Sequence, residues 1–152
     1  MTTGQPRHGS PLPHRAFAAL AVLQLLIVLA QFYLAATGAF SAKPAGEAFE
    51  PHKALGYATF IVPVVMAVVA AAGRLPGRLT RLSTLVAGLV TVQVIVAKIA
   101  ESLGDNGTAG PLLFGLHGLV ALVIVAMVGD LARRSRDLWR SDRAAAYNIT
   151  HG

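Results

Sequence analysis

His52 and His117 are the residues of this sequence best suited to chemistry. Neutral imidazole is a good ligand for iron in a dry site. Each histidine stands at the mouth of an apolar segment, in Glu50-Pro51-His52-Lys53-Ala54-Leu55-Gly56-Tyr57 and in Leu116-His117-Gly118. Gly56 falls one turn beyond His52 on the same helical face. A missing side chain there would let a flat macrocycle approach the backbone. Lys53 and Lys98, expected on the same side, can balance the two propionates of a haem. Gln31, deep in the first apolar segment, is the further polar residue assigned to this site. The chemistry these residue types point to is bis-histidine ligation of haem b.

The elements that must position them are membrane helices. Of 152 residues, 55% are hydrophobic and only 13% charged, with a mean hydropathy of +0.61. A water-facing domain carries roughly 25% charged residues, so lipid must cover much of this surface. Cysteine is absent, which excludes disulfides, thiolate metal sites and cysteine nucleophiles. A net charge of +6 could signal nucleic acid. The charges gather at the ends of apolar runs instead, so nucleic acid is not expected as a partner.

Residues 16–40 and 54–73 contain no charge. Each run is long enough to cross a hydrocarbon core about 30 Å thick as a helix. The first exceeds the roughly 7–15 apolar residues of a secretion signal. Pro51 suits the first turn of the second helix, where its missing N–H has no partner to lose. Pro63, inside that helix, deprives the Thr59 carbonyl of its usual donor and should kink the chain. Residues 82–97, extended by Lys98, make a third span, and 111–129 a fourth. Helices are expected at about 15–39, 51–73, 80–102 and 111–134. They follow a disordered tail over 1–14 and precede a basic cytoplasmic tail over 135–152. The fold class is therefore an all-α, integral membrane four-helix bundle.

Arginine orients it. Arg7, Arg15, Arg74, Arg78, Arg81, Arg133, Arg134, Arg136, Arg140 and Arg143 lie in the tails and the second loop. By the positive-inside rule both termini are cytoplasmic and the two histidine-bearing mouths share the outer side. Composition points to a bacterial inner (plasma) membrane. His52 lies 22 residues from Arg74 and His117 only 16 from Arg133. That is a mismatch in depth of about 9 Å. A kink at Pro63, helix tilt or a fourth helix projecting into the cytoplasm would remove it.

Polar residues at membrane depth tend to face the bundle interior. Gln24 and Gln31 share a face of the first helix. Thr84, Thr91 and Lys98 share a stripe on the third, from which Gln93 points away. The glutamines and threonines are read as hydrogen-bonding between helices. Lys98 can also snorkel outward or pair with Glu101. The two halves of the chain resemble each other in spacing. Each has a glutamine-bearing helix, an outer loop and a histidine-bearing helix, as in repeats with a ligand at their interface.

The four helices and their two histidines, 65 residues apart, resemble one half of the haem A synthase family. Members of that family contain two four-helix bundles, each presenting a histidine pair to a haem. The resemblance runs from about 16 to 134 and implies haem ligation by His52 and His117. The chain is also similar to small actinobacterial four-helix membrane proteins. It departs from the family's catalytic half, which carries a glutamate three residues before the histidine of its second helix. That position is Phe49 here. The outer-loop cysteines and the second bundle are also missing, so haem A synthesis is not expected.

The expected function is that of an electron carrier or haem-binding protein rather than a stand-alone enzyme. Its partners would be the lipid bilayer, a quinone or redox protein, and further copies of the chain. Two alternatives come from other classes. One is a cofactor-free accessory or assembly subunit. The other is a small-solute or proton-handling protein using Gln31, Lys98 and His117. A zinc site would need Glu50 as a third ligand beside the histidines.

Overall fold

The computed structural model describes residues 12–104 and 107–151, which form helices joined by short turns. Helix α1 spans Leu12–Ala39, the single turn α2 Ala45–Ala48, α3 Glu50–Ala72, α4 Gly77–Leu103 and α5 Ala109–His151. The four long helices are each long and apolar enough to cross a membrane. Helix α1 packs against α3 and α5, and α4 packs against the same two. The bundle is thus a four-cornered ring in which α3 and α5 face each other across a diagonal. The expected all-α four-helix membrane bundle is the architecture found.

Phe17, Met66, Val86, Val128 and Leu131 fill the bundle axis. Large apolar side chains such as Leu26, Val68, Leu119 and Leu122 point outward. Such an exposed apolar surface is stable only against lipid, where association relies on close packing and internal hydrogen bonds.

Pro63 sits inside α3, and its consequence is visible one turn earlier. The Thr59 carbonyl accepts a hydrogen bond from Gln24 Nε2 of α1 at 3.0 Å. The donor that proline removes is replaced from a neighbouring helix. Gln24 and Thr59 are both buried.

The α3–α4 turn shows why glycine stands at 73 and not one place later. Leu75 donates to the Ala70 carbonyl and Arg74 to that of Ala71, the paired bonds of a Schellman ending. The left-handed residue is Arg74, with φ 52°. Gly73 has ordinary helical torsion, φ −77°. A β-carbon there would lie 2.5 Å from Pro13 of α1. Close approach of two helices, rather than backbone handedness, therefore demands Gly73.

Two expected boundaries change. Residues 12–14, placed in the disordered tail, open α1, while the rest of that tail lies outside the described residues. The fourth helix does not end near 134, and most of the segment read as a tail over 135–152 continues α5 to His151. No proline or glycine interrupts 130–151, so nothing in the backbone chemistry stops the helix where the lipid ends. This extension also removes the depth mismatch. Pro76, Arg78 and Leu79 share a groove with Arg134, Leu138 and Ser141. The level of the α3–α4 turn therefore falls on α5 near Leu138, which is 21 residues beyond His117.

Substituting Gln24 by leucine should cost about 1 kcal/mol, within the range of interhelical hydrogen bonds in membranes. In a Pro63→Ala background the Thr59 carbonyl regains its own helical donor, and the same substitution should cost less than half as much. Reversible unfolding of the four variants in mixed micelles reads the coupling.

Candidate functional site

The histidines approach from opposite corners of the bundle. His52 lies in the first turn of α3, and His117 lies about two turns into α5. Their ring centroids are 6.3 Å apart, with the planes tilted by 58°. The two rings therefore sit at one level.

Each imidazole is anchored by a neighbouring helix. His52 Nδ1 lies 3.1 Å from the main-chain carbonyl oxygen of Gln31 on α1. His117 Nδ1 lies 3.3 Å from that of Gln93 on α4. A carbonyl only accepts, so each Nδ1 carries the hydrogen and donates it. In a neutral ring this leaves the Nε2 lone pair available to a metal, and the anchoring bond fixes tautomer and orientation. The repeat seen in residue spacing thus corresponds to the same contact made twice.

The glutamine side chains complete the brackets. Gln31 Nε2 donates to Thr59 Oγ1 at 3.0 Å, and that hydroxyl donates to the Leu55 carbonyl. Gln93 Nε2 donates to the His117 carbonyl at 2.7 Å, so α4 and α5 bond reciprocally at this one layer. Gln93, which the helical stripe of Thr84, Thr91 and Lys98 left aside, is the residue that faces the site. Thr84 and Thr91 do not reach other helices: their hydroxyls bond to the Thr80 and Ala87 carbonyls of their own helix. A back-bonded threonine satisfies itself and can face lipid, which the stripe reading did not consider.

Phe49 packs edge-on against His52, with centroids 6.3 Å apart and planes at 87°. Space for Phe49 comes from Gly38, where a β-carbon would lie 3.0 Å from the Phe49 ring and from the Ala48 carbonyl oxygen. The residue that departs from the haem A synthase pattern therefore has its own place beside the ring. The pairing of Gly38 with Phe49 had no signal in the sequence, because it depends on how α2 folds back onto α1.

Gly56 also lies at this layer. A β-carbon there would meet only Gln31 Nε2, at 3.6 Å, so the backbone next to His52 is open on that side. Lys53 and Lys98 converge on Glu101, with Nζ atoms 2.6 Å and 3.0 Å from its two carboxylate oxygens. The expected Lys98–Glu101 pairing is found, and Lys53 joins it from α3. Among the described residues no group of three or more His, Cys, Asp or Glu side chains could hold a metal ion. Glu50 does not complete a three-ligand zinc site.

Gly38→Val should displace Phe49 and destabilise the bundle by about 1–3 kcal/mol, the range for overpacking. Gly56→Ala, with its one contact at ordinary van der Waals distance, should cost less than about 0.5 kcal/mol. Denaturation midpoints of the two variants in one detergent test the contrast.

Residues 31–100 match the model of a family of unknown function (DUF6220). The matched stretch contains Gln31, Lys53, Gly56, Gln93, Lys98 and one of the two histidines, His52, and it stops short of His117 and Glu101. No curated protein matches the chain, and no solved structure does.

Proposed function

We propose that this multi-pass membrane protein binds one haem b between His52 and His117 and passes single electrons or holds the haem for a partner. The separation of the two rings carries the reading. An imidazole nitrogen binds a metal at about 2.0 Å, and the ring centre lies about 1.1 Å farther out. Two rings on opposite sides of one metal ion therefore have centroids roughly 6 Å apart, as the 6.3 Å here. Rotation about either metal–nitrogen bond changes the interplanar angle and leaves that separation alone.

The donor set supports a macrocycle over a bare ion. A zinc ion takes four ligands, three or four of them from the protein. Two histidines without a third side-chain ligand instead suit a metal whose other four positions are filled by a ring. In this reading His52 and His117 would hold the haem iron through Nε2, and their hydrogen bonds from Nδ1 to the Gln31 and Gln93 carbonyls would make those nitrogens better donors. Gly56 leaves room beside the backbone, and apolar helix faces flank the half-buried rings. Haem supplies the one-electron chemistry, while the protein supplies ligation and environment. A bacterial plasma membrane is the setting that composition suggests, the arginine distribution puts both termini on its cytoplasmic side, and a quinone or a redox protein is the electron partner this reading needs.

A second reading has its own observation. Both imidazoles already hold hydrogen bonds to a neighbouring helix. In a cofactor-free accessory subunit those bonds would serve only to lock each hairpin.

A reduced-minus-oxidised spectrum of the full-length protein, purified from haem-supplemented cells, separates the two. Sharp reduced α and Soret bands are expected, and they should be lost in His52→Ala and in His117→Gly. Added imidazole should restore them in His117→Gly by filling the vacated position. A featureless wild-type spectrum would remove the haem reading and leave the accessory one.

A further inference from the structure

We infer that Lys53 and Lys98 form a carboxylate-binding subsite at the histidine end of the bundle, occupied by Glu101 and open to a propionate of bound haem. The inference rests on the haem reading above and names the group that would orient the ligand.

Glu101 of α4 bridges an ammonium of its own helix and one from α3, at 3.0 Å and 2.6 Å. One carboxylate between two ammoniums leaves a positive charge unbalanced. The cluster therefore has capacity for a second carboxylate, or for exchange of the first. None of the three side chains is locked in place: Lys98 is 70% exposed, Lys53 48% and Glu101 36%. Ion pairs at such exposure are worth little, so exchanging the partner is cheap.

Position supports the same assignment. The line through the two imidazoles joins α3 to α5, so a plane set across it faces α1 and α4. Lys98 lies on α4, five residues beyond Gln93 toward the end of the bundle, a rise of about 7.5 Å. Lys53 directly follows His52. A flat ligand gripped by the histidines would have one edge toward the end of the bundle where the Lys98 side chain, although it starts from the stripe that Gln93 leaves aside, reaches the Glu101 carboxylate it shares with Lys53. A carboxylate on that edge gains two ammonium partners, whereas an ester at the same place gains neither. Glu101 acts in this arrangement as a resident competitor that keeps the lysines together when no ligand is present.

The test compares hemin with hemin dimethyl ester, titrated spectroscopically into the full-length protein in detergent. Lys53→Ala/Lys98→Ala should bind hemin roughly fivefold more weakly than wild type. Glu101→Gln should bind it about threefold more tightly, because both ammoniums are released. Affinity for the dimethyl ester should change in neither variant. All three substitutions lie at exposed positions, and helical circular dichroism confirms that each variant is folded. Unchanged hemin affinity, or equal changes for hemin and ester, would overturn the subsite while leaving histidine ligation intact. Wild-type protein that binds neither compound would overturn both readings together.

Discussion

A polar group buried in an apolar bundle needs a partner inside the protein, and for the side chains of Gln24, Gln31, His52, Gln93 and His117 that partner lies on a neighbouring helix. Helix α1 meets that demand for α3 at three points. Gln24 serves the carbonyl that Pro63 strands, the Gln31 amide serves the Thr59 hydroxyl, and the Gln31 carbonyl receives the His52 ring. Three contacts along one helix face fix the rotation of α3 about its axis, and with it the direction in which His52 points. Helix α4 does the same for α5 with one residue, since Gln93 both donates to and accepts from His117.

The two halves reach this result with unequal means. Seven residues before Gln31 is Gln24, while seven before Gln93 is Val86. Seven residues after His52 is Thr59, while seven after His117 is Ile124. Val86 and Ile124 are buried in the apolar core. In the second half Pro111 stands in the first turn of α5 and strands no helical carbonyl, and apolar packing takes over the position. What both halves retain is the contact between imidazole and main-chain carbonyl. Of the shared features, this is the one that sets the state of a histidine nitrogen rather than the cohesion of a hairpin.

That contact bears directly on chemistry. A histidine that only staples helices could use either ring nitrogen. Here both rings use Nδ1, so both keep Nε2 unprotonated in the neutral form. Diagonal placement then brings the two rings together across the bundle rather than along one wall. The charged cluster of Lys53, Lys98 and Glu101 lies at the same end, where an amphipathic ligand would emerge from the apolar interior. The histidine nitrogens, the apolar helix faces and the charged cluster follow one another toward that end of the bundle, the order that the proposed haem, with carboxylates on one edge, would need.

The sequence by itself determined the membrane architecture, because uncharged runs long enough to span the hydrocarbon leave a chain few alternatives. It also identified both histidines, the stranded Thr59 carbonyl and the Lys98–Glu101 pair, each a consequence of local covalent chemistry or helical spacing. Only the tertiary structure decided that the two rings are level, since their depth depends on α5 running past the lipid boundary. It alone brought Gln93 to the site and turned Thr84 and Thr91 away, because helix rotation is set by neighbours and not by the helix itself. The place of Phe49 against His52 arose the same way, through the fit of α2 over Gly38. Spacing along one helix tells which residues share a face. Which face looks inward is settled by the partners that the other helices offer.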